Sequence, residues 1–367
     1  MKNNPLKKLE ALGQAIWFDY IRCDLMTSGE LQRLIDEDGL RGITSNPSIF
    51  QKAIAESNLY DSDIAGEALA GKDSTAIYEA ISQRDVQQAA DMFKSVYEKT
   101  NAKDGYVSLE VNPHLAHDTK GTIDEARLLW KNLNRPNVLI KVPATLEGVP
   151  AIRQLISEGI NINVTLIFSV ARYKAVLDAY IGGISDRLKL GKPIKNIASV
   201  ASFFLSRIDA VVDPLLEKLA PVTSQKLRGQ VAVSSAKQAY QIYQEAFENR
   251  EFLKLGAAPQ RLLWASTSPK DPTYSDIKYV EALIGSNTVN TVPPETLAAY
   301  RDHGNPALLL ETDVEKATQV LSELPKIGIN LNAITDKLEN DGVASFKQAY
   351  DKLIDAIKTK STLTSKE

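Results

Sequence analysis

Lys141 interrupts an otherwise apolar run, NVLIKVPAT (residues 137–145). In a strand, Leu139 and Lys141 share one face, and Ile140 and Val142 take the other. A lysine facing the closed interior of a barrel loses hydration, which favours the neutral amine that attack on a carbonyl requires. A lone lysine in such a run more often snorkels its head to water. The neighbouring runs change that balance. Ser108 and Glu110 share a face in YVSLEVNP (106–113), Asn163 and Thr165 share one in INVTLIF (162–168), and Asp19 ends AIWFD (15–19). One polar residue per strand could be a satisfied buried hydrogen bond. Several converging on a lysine point to imine chemistry.

That chemistry assigns roles. Expelling water from a carbinolamine needs proton transfer, and breaking a carbon–carbon bond needs a base for the departing hydroxyl proton, with the protonated imine as electron sink. Buried carboxylates suit both tasks. Asp19 and Glu110 are the candidates, and Thr165 could orient a water.

Other constellations carry less. His114 and His117 in HLAHD (114–118) have metal-compatible spacing, but no third strong ligand accompanies them and the chain has 3 histidines in all. No metal and no cofactor is expected. Asn163-Val-Thr165 matches a glycosylation sequon but lies within a strand pattern. Cys23 lacks activating neighbours, Gly182-Gly183 is too short for a phosphate loop, and no G-x-S-x-G elbow occurs.

The elements that must hold these residues alternate. Apolar runs recur at Gln14–Asp19, Gly42–Thr44, Tyr106–Val111, Asn137–Val142, Ile162–Phe168, Asn196–Phe204, Arg261–Ala265 and Asn287–Val292, with the Val, Ile, Phe and Trp content of buried parallel strands. Helical periods lie between them. Thr27 and Glu30 form a capping-box pattern ahead of Leu31, Leu34 and Ile35, with Gly39 where a C-terminal cap belongs. Tyr173, Val176, Leu177, Tyr180 and Ile181 repeat at helical spacing. Ser74–Lys99 reads as one long helix, Ser345–Lys358 as amphipathic, and the final TKSTLTSKE as frayed. About eight strands alternating with helices predict an α/β fold, a single (β/α)8 TIM barrel with additional helices. A doubly wound sheet is the rival, weakened by the lack of G-x-G-x-x-G after the first strand. No linker divides the chain, so residues 1–367 read as one domain. A helical insertion falls around 51–104 and a C-terminal helical segment around 335–360.

Composition narrows the setting. The chain has 367 residues, 44% hydrophobic, with 43 Lys+Arg against 46 Asp+Glu and a formal net charge of -3. Nothing there favours a nucleic-acid or membrane partner. A single cysteine, no apolar stretch of membrane-spanning length and no secretory h-region lead to the expectation of a cytoplasmic protein.

Four segments together resemble the transaldolase family. GITSNPSIF (Gly42–Phe50) is similar to its first signature, and NVLIKVPATLEG (Asn137–Gly148) to the second, which holds the Schiff-base lysine. NVTLIFS (Asn163–Ser169) and ASFFLSRID (Ala201–Asp209) resemble its next two strands. The length and the insertion before the third strand look like the larger bacterial branch. The resemblance implies a transferase of ketol groups in the pentose phosphate pathway. It would move dihydroxyacetone from sedoheptulose 7-phosphate to glyceraldehyde 3-phosphate, giving erythrose 4-phosphate and fructose 6-phosphate. It implies that Lys141 forms the imine and that Glu110 shuttles protons through a water held by Thr165. Asp19 would take the C4 hydroxyl proton, and Asn46, Ser108, Asn163 and Ser202 would line the dihydroxyacetone site. Arg207 would bind the phosphate with its planar donor fork.

One departure stands out. Where the family often has Gly-Ala-Ser-x-Arg on the seventh strand, this chain reads WASTSPK (Trp264–Lys270). Ser266 keeps the serine, Ser268 occupies the arginine position, and Lys270 is expected to supply the charge. Small sugar phosphates are the implied partners, with monomer or homodimer left open. Two alternatives remain. A fructose 6-phosphate aldolase would release free dihydroxyacetone from the same lysine, but that sister group is shorter and lacks the glutamate. A non-catalytic sugar-phosphate-binding barrel would keep Arg207 yet tolerate loss of the lysine and carboxylates.

Overall fold

A computed structural model describes residues 4–248 and 250–364. Eight parallel strands close in sequence order: β1 (Gln14–Asp19), β2 (Gly42–Thr44), β3 (Tyr106–Glu110), β4 (Val138–Pro143), β5 (Ile162–Ile167), β6 (Ser199–Phe204), β7 (Arg261–Ala265) and β8 (Thr288–Val292). β8 pairs with β1 to complete the (β/α)8 barrel, and helices cover its outside.

β1, β2 and β7 match the sequence reading residue for residue. β6 and β8 start later than expected because Asn196 (φ 65) and Asn287 (φ 56) sit in the left-handed region, which ends a turn and cannot pair. β5 stops before Phe168: its register on β6 shifts between Val164 and Ile167, where Leu166 has φ 60.

Three helical expectations need correction. The helix Glu30–Glu37 follows Gly29 (φ 82), not a Thr27 cap. Thr27 instead donates its Oγ1 proton to Cys23 O, closing the short helix Cys23–Thr27. Gly39 (φ 72) does end Glu30–Glu37, and Leu40 N–H reaches back to Leu34 O. The expected Ser74–Lys99 helix breaks at the buried Phe93 into Ser74–Met92 and Lys94–Lys99. The C-terminal helix is longer than its amphipathic stretch suggests, Leu331–Thr364, so most of TKSTLTSKE is helical. Residues 365–367 lie outside the described ones.

The barrel floor is sealed by charge and rings. Arg261 on β7 pairs with Asp104 at 2.9 Å, and Trp17 Nε1 donates to the same carboxylate at 3.3 Å. Gly42 is required here, since a Cβ would meet the Trp17 ring and Tyr106 O, both at 2.7 Å. At the other end, the C-terminal helix crosses the barrel mouth.

Candidate active site

Parallel strands aim their C-terminal ends at one rim, and in this architecture chemistry collects there. A cavity of about 600 Å³ opens at that rim. Of the residues singled out from sequence, Asp19, Asn46, Lys141, Thr165, Ser202, Arg207, Ser266 and Lys270 line it.

Lys141 is central. Strand register sets it beside Glu110 on one side and Asn163 on the other, and it is 4% exposed. Its Nζ donates to Ser45 O at 3.0 Å and lies 3.3 Å from Glu110 Oε2. The second contact has ion-pair distance but not hydrogen-bond alignment, so Oε2 is left without a hydrogen-bond partner among the described residues. Thr165 Oγ1 is buried and unpartnered in the same way.

The two carboxyls share one electrostatic character. Burial raises the pKa of Asp19, opposed first by the Lys141 charge and then by Thr44. Burial likewise raises Glu110, again opposed by Lys141. Asp19 Oδ1 accepts from Thr44 Oγ1 at 2.7 Å, and Thr44 shares a 2.6 Å bond with Thr291.

Three expected residues lie off the cavity wall. Ser108 and Asn163 are fully buried below it. Ser202 Oγ donates to Asn163 Oδ1 at 2.7 Å, and Asn163 Nδ2 donates to Ser108 Oγ at 3.0 Å, so these two brace the Ser202 hydroxyl. Glu110 borders a separate crevice of about 20 Å³, shared with Tyr78, Glu125 and Tyr350. That is room for about one water. Burial holds Glu125 up at about 7.

A cationic corner completes the site. Arg207 opens the helix Ser206–Leu219 and stands 5.7 Å over the Phe204 ring. Lys270 follows β7, where Ser266 (φ 54) turns the chain and shares a 2.9 Å hydroxyl bond with Ser206. Burial and then the Arg207 charge lower the Lys270 pKa. Two cations so placed, neither of them ion-paired to an acid among the described residues, suit an anionic group. Ser268, at the family's arginine position, lines the same cavity. Asn46 also caps the helix Pro47–Ala55, accepting from Ile49 N at 3.1 Å.

The histidines do not converge. His114 pairs with Asp351 and His117 with Glu147, and among the described residues no group of three or more potential metal ligands assembles. Likewise, no helix of the described residues is long and apolar enough to cross a membrane.

Sequence reasoning missed Thr44, Thr291, Ser45, Phe204 and Phe346. The two threonines follow the period-2 pattern at strand ends and could have been read. Ser45 contributes a backbone carbonyl, and Phe346 comes from the C-terminal helix. Neither leaves a local signal.

The transaldolase/fructose-6-phosphate aldolase family model matches residues 16–357. Transaldolase 2 of Nostoc sp. is 46% identical over 379 residues, covering 100% of both chains. The transaldolase of Thiobacillus denitrificans is 47% identical over 354 residues, covering 96% of this chain and 99% of its own. That of Mycolicibacterium paratuberculosis is 44% identical, with 96% of each chain covered. With motif, barrel and rim in agreement over its whole length, the chain belongs to the transaldolase/fructose-6-phosphate aldolase family.

Proposed function

We propose that Lys141 is the Schiff-base residue of a transaldolase, which moves dihydroxyacetone from sedoheptulose 7-phosphate to glyceraldehyde 3-phosphate. The observation that carries this assignment is the Lys141 amine, 4% exposed and 3.3 Å from Glu110, on the same cavity wall as Asp19.

The Lys141 amine adds to the ketose carbonyl. Glu110 supplies the proton that expels water from the carbinolamine, through a water held between its Oε2 and Thr165 Oγ1. Asp19, its carboxyl raised by burial, takes the C4 hydroxyl proton. The C3–C4 bond then breaks, its electrons passing into the iminium. The aldose phosphate leaves, and an acceptor aldehyde enters to run the steps in reverse. Ser202, braced by Asn163 and Ser108, holds the dihydroxyacetone hydroxyls with Asn46. Arg207, Lys270 and Ser266 take the phosphate. No metal is called on, because the protonated imine is itself the electrophile.

The same reading makes residues 1–367 one barrel domain, with 51–104 a helical insertion, acting in the cytoplasm on small sugar phosphates. The single closed sheet and the lone Cys23 support it. Borohydride reduction with fructose 6-phosphate, followed by peptide mapping, tests the assignment: the added mass should fall on Lys141. An adduct elsewhere, or none, refutes it. Transfer over aldol release is tested by the acceptor. Fructose 6-phosphate consumed equally fast without an aldehyde would make the protein an aldolase.

A further inference from the structure

We propose that Glu295 is a specificity-determining residue: its carboxylate accepts a hydrogen bond from the hydroxyl at C5 of the ketose phosphate, which is the C2 hydroxyl of the aldehyde that leaves or enters. The inference deepens the reading of Lys141 as the imine-forming residue and rests on it.

Glu295 comes from the turn after β8, a part of the rim that the imine steps leave unused. Pro293 and Pro294 fix the backbone there. Pro294 opens the helix Pro294–His303, whose buried residues are Thr296, Leu297 and Tyr300. A glutamate in the first turn of a helix ordinarily serves the helix dipole. Two observations go beyond that. Glu295 lines the cavity of about 600 Å³ that also holds Asp19, Lys141, Arg207 and Lys270. Its carboxylate makes no hydrogen bond and no ion pair to another described residue, although two cations share that cavity. Both of its oxygens are therefore available to a ligand.

The electrostatics place it along the substrate. Burial is what chiefly raises Asp19 and lowers Lys270, and the Glu295 charge adds to the first shift and opposes the second. The carboxylate therefore stands within electrostatic reach of both. A ketose phosphate bound through C2 at Lys141 brings its C4 hydroxyl to Asp19 and its phosphate to Arg207 and Lys270. C5 falls in the span between them, which Glu295 borders. A carboxylate accepts hydrogen bonds and offers none, so a sugar hydroxyl suits it and a phosphate oxygen does not. On cleavage C4 becomes the aldehyde carbon and C5 its neighbour, so one contact serves both the leaving and the entering aldose. A site built to bond a hydroxyl discriminates against the analogue that lacks it.

The test uses the full chain with sedoheptulose 7-phosphate as donor and two acceptors of equal length. One is glyceraldehyde 3-phosphate; the other is 3-oxopropyl phosphate, which lacks only the C2 hydroxyl. The donor half-reaction is complete before the acceptor binds, so kcat/KM for the acceptor reports the second half alone. Both acceptors carry the phosphate and both form the C4 oxygen at Asp19, so a general change of charge moves them together. Glu295→Ala should shrink the preference for glyceraldehyde 3-phosphate about tenfold, the low end for a charged hydrogen bond at an exposed site. Glu295→Gln, which keeps an acceptor oxygen without the charge, should fall between. If the preference is unchanged in both variants while borohydride with dihydroxyacetone still labels Lys141, the contact is refuted and Lys141 stands. If the unaltered protein takes no label on Lys141, both readings fall.

Discussion

Two ion pairs lie buried along the axis of this barrel, one at each end, and they are finished differently. At the floor, Asp104 accepts from Arg261 at 2.9 Å and from Trp17 Nε1 at 3.3 Å, while Arg261 also donates to Lys103 O at 2.6 Å and leaves its Nη1 without a hydrogen-bond partner among the described residues. At the mouth, Lys141 and Glu110 stand 3.3 Å apart, with Glu110 Oε2 free of any hydrogen bond among the described residues. Burial is nearly equal, 7% and 8% side-chain exposure below against 5% and 5% above. Burial alone therefore does not mark the site. The floor uses a guanidinium, a rigid fork that keeps its proton; the mouth uses an amine, which can give its proton up. A closely bonded pair braces the fold, and a loosely bonded one can move protons.

Breaking the upper pair should have the largest effect. Lys141→Met is expected to abolish borohydride labelling and lower transfer on the order of 10⁶-fold, as loss of a catalytic nucleophile does. Urea unfolding should still be cooperative, because the remaining carboxyl can take up a proton. Retained turnover would mean that another amine does the work. Glu110→Gln should slow labelling by about 10²–10⁴-fold, the range of general acid–base catalysis, with KM nearly unchanged. A change in KM alone would contradict a proton-transfer role.

The lower pair should respond in the opposite manner. Arg261→Met leaves Asp104 buried without its partner and should cost about 3–5 kcal/mol of stability. The kcat/KM of the protein that remains folded should stay within about twofold of its original value. A large loss of kcat/KM would show that the floor takes part in catalysis. Acidity separates the two ends further. Burial raises Asp19 above its ordinary 3.8 and Glu110 above 4.5. Between those values and the raised ones, the folded state binds protons that the unfolded state has released. The contribution of these two carboxyls to stability should therefore fall as pH climbs through that window. Denaturation midpoints across the acid range should flatten in Glu110→Gln and keep their slope in Arg261→Met.

Only the mouth half of this contrast is legible in the sequence. Period 2 puts Lys141, Glu110 and Thr165 each on a polar face and Asp19 ends its strand, and the structure brings the four together at the rim. The period could not give depth. Ser108 shares its face with Glu110 but lies two residues lower, about 6–7 Å along the strand, which puts it below the cavity. Strand starts were misread where Asn196 and Asn287 adopt left-handed turns that composition does not reveal. The Thr27–Glu30 pattern fitted a capping box, yet a left-handed Gly29 opens that helix. Phe346 was out of reach for a different reason. It arrives by tertiary packing of the C-terminal helix, and nothing near it in sequence refers to the barrel mouth.

The smallest expected effect concerns cations that neither pair engages. Arg207 and Lys270 face the cavity together, and the Arg207 charge helps to lower the Lys270 pKa. Where the floor cation is bonded within the protein, these are available to a substrate anion. Because Lys270 is only partly withdrawn from solvent, its contact with phosphate is discounted to the low end of charged hydrogen bonds. Lys270→Ala should therefore raise KM for a phosphorylated donor about tenfold, with kcat little altered. Adding Ser268→Arg should recover most of that loss by returning a charged fork to the same wall. The effect should vanish with unphosphorylated fructose as donor. An unchanged KM in Lys270→Ala would leave Arg207 alone to hold the phosphate.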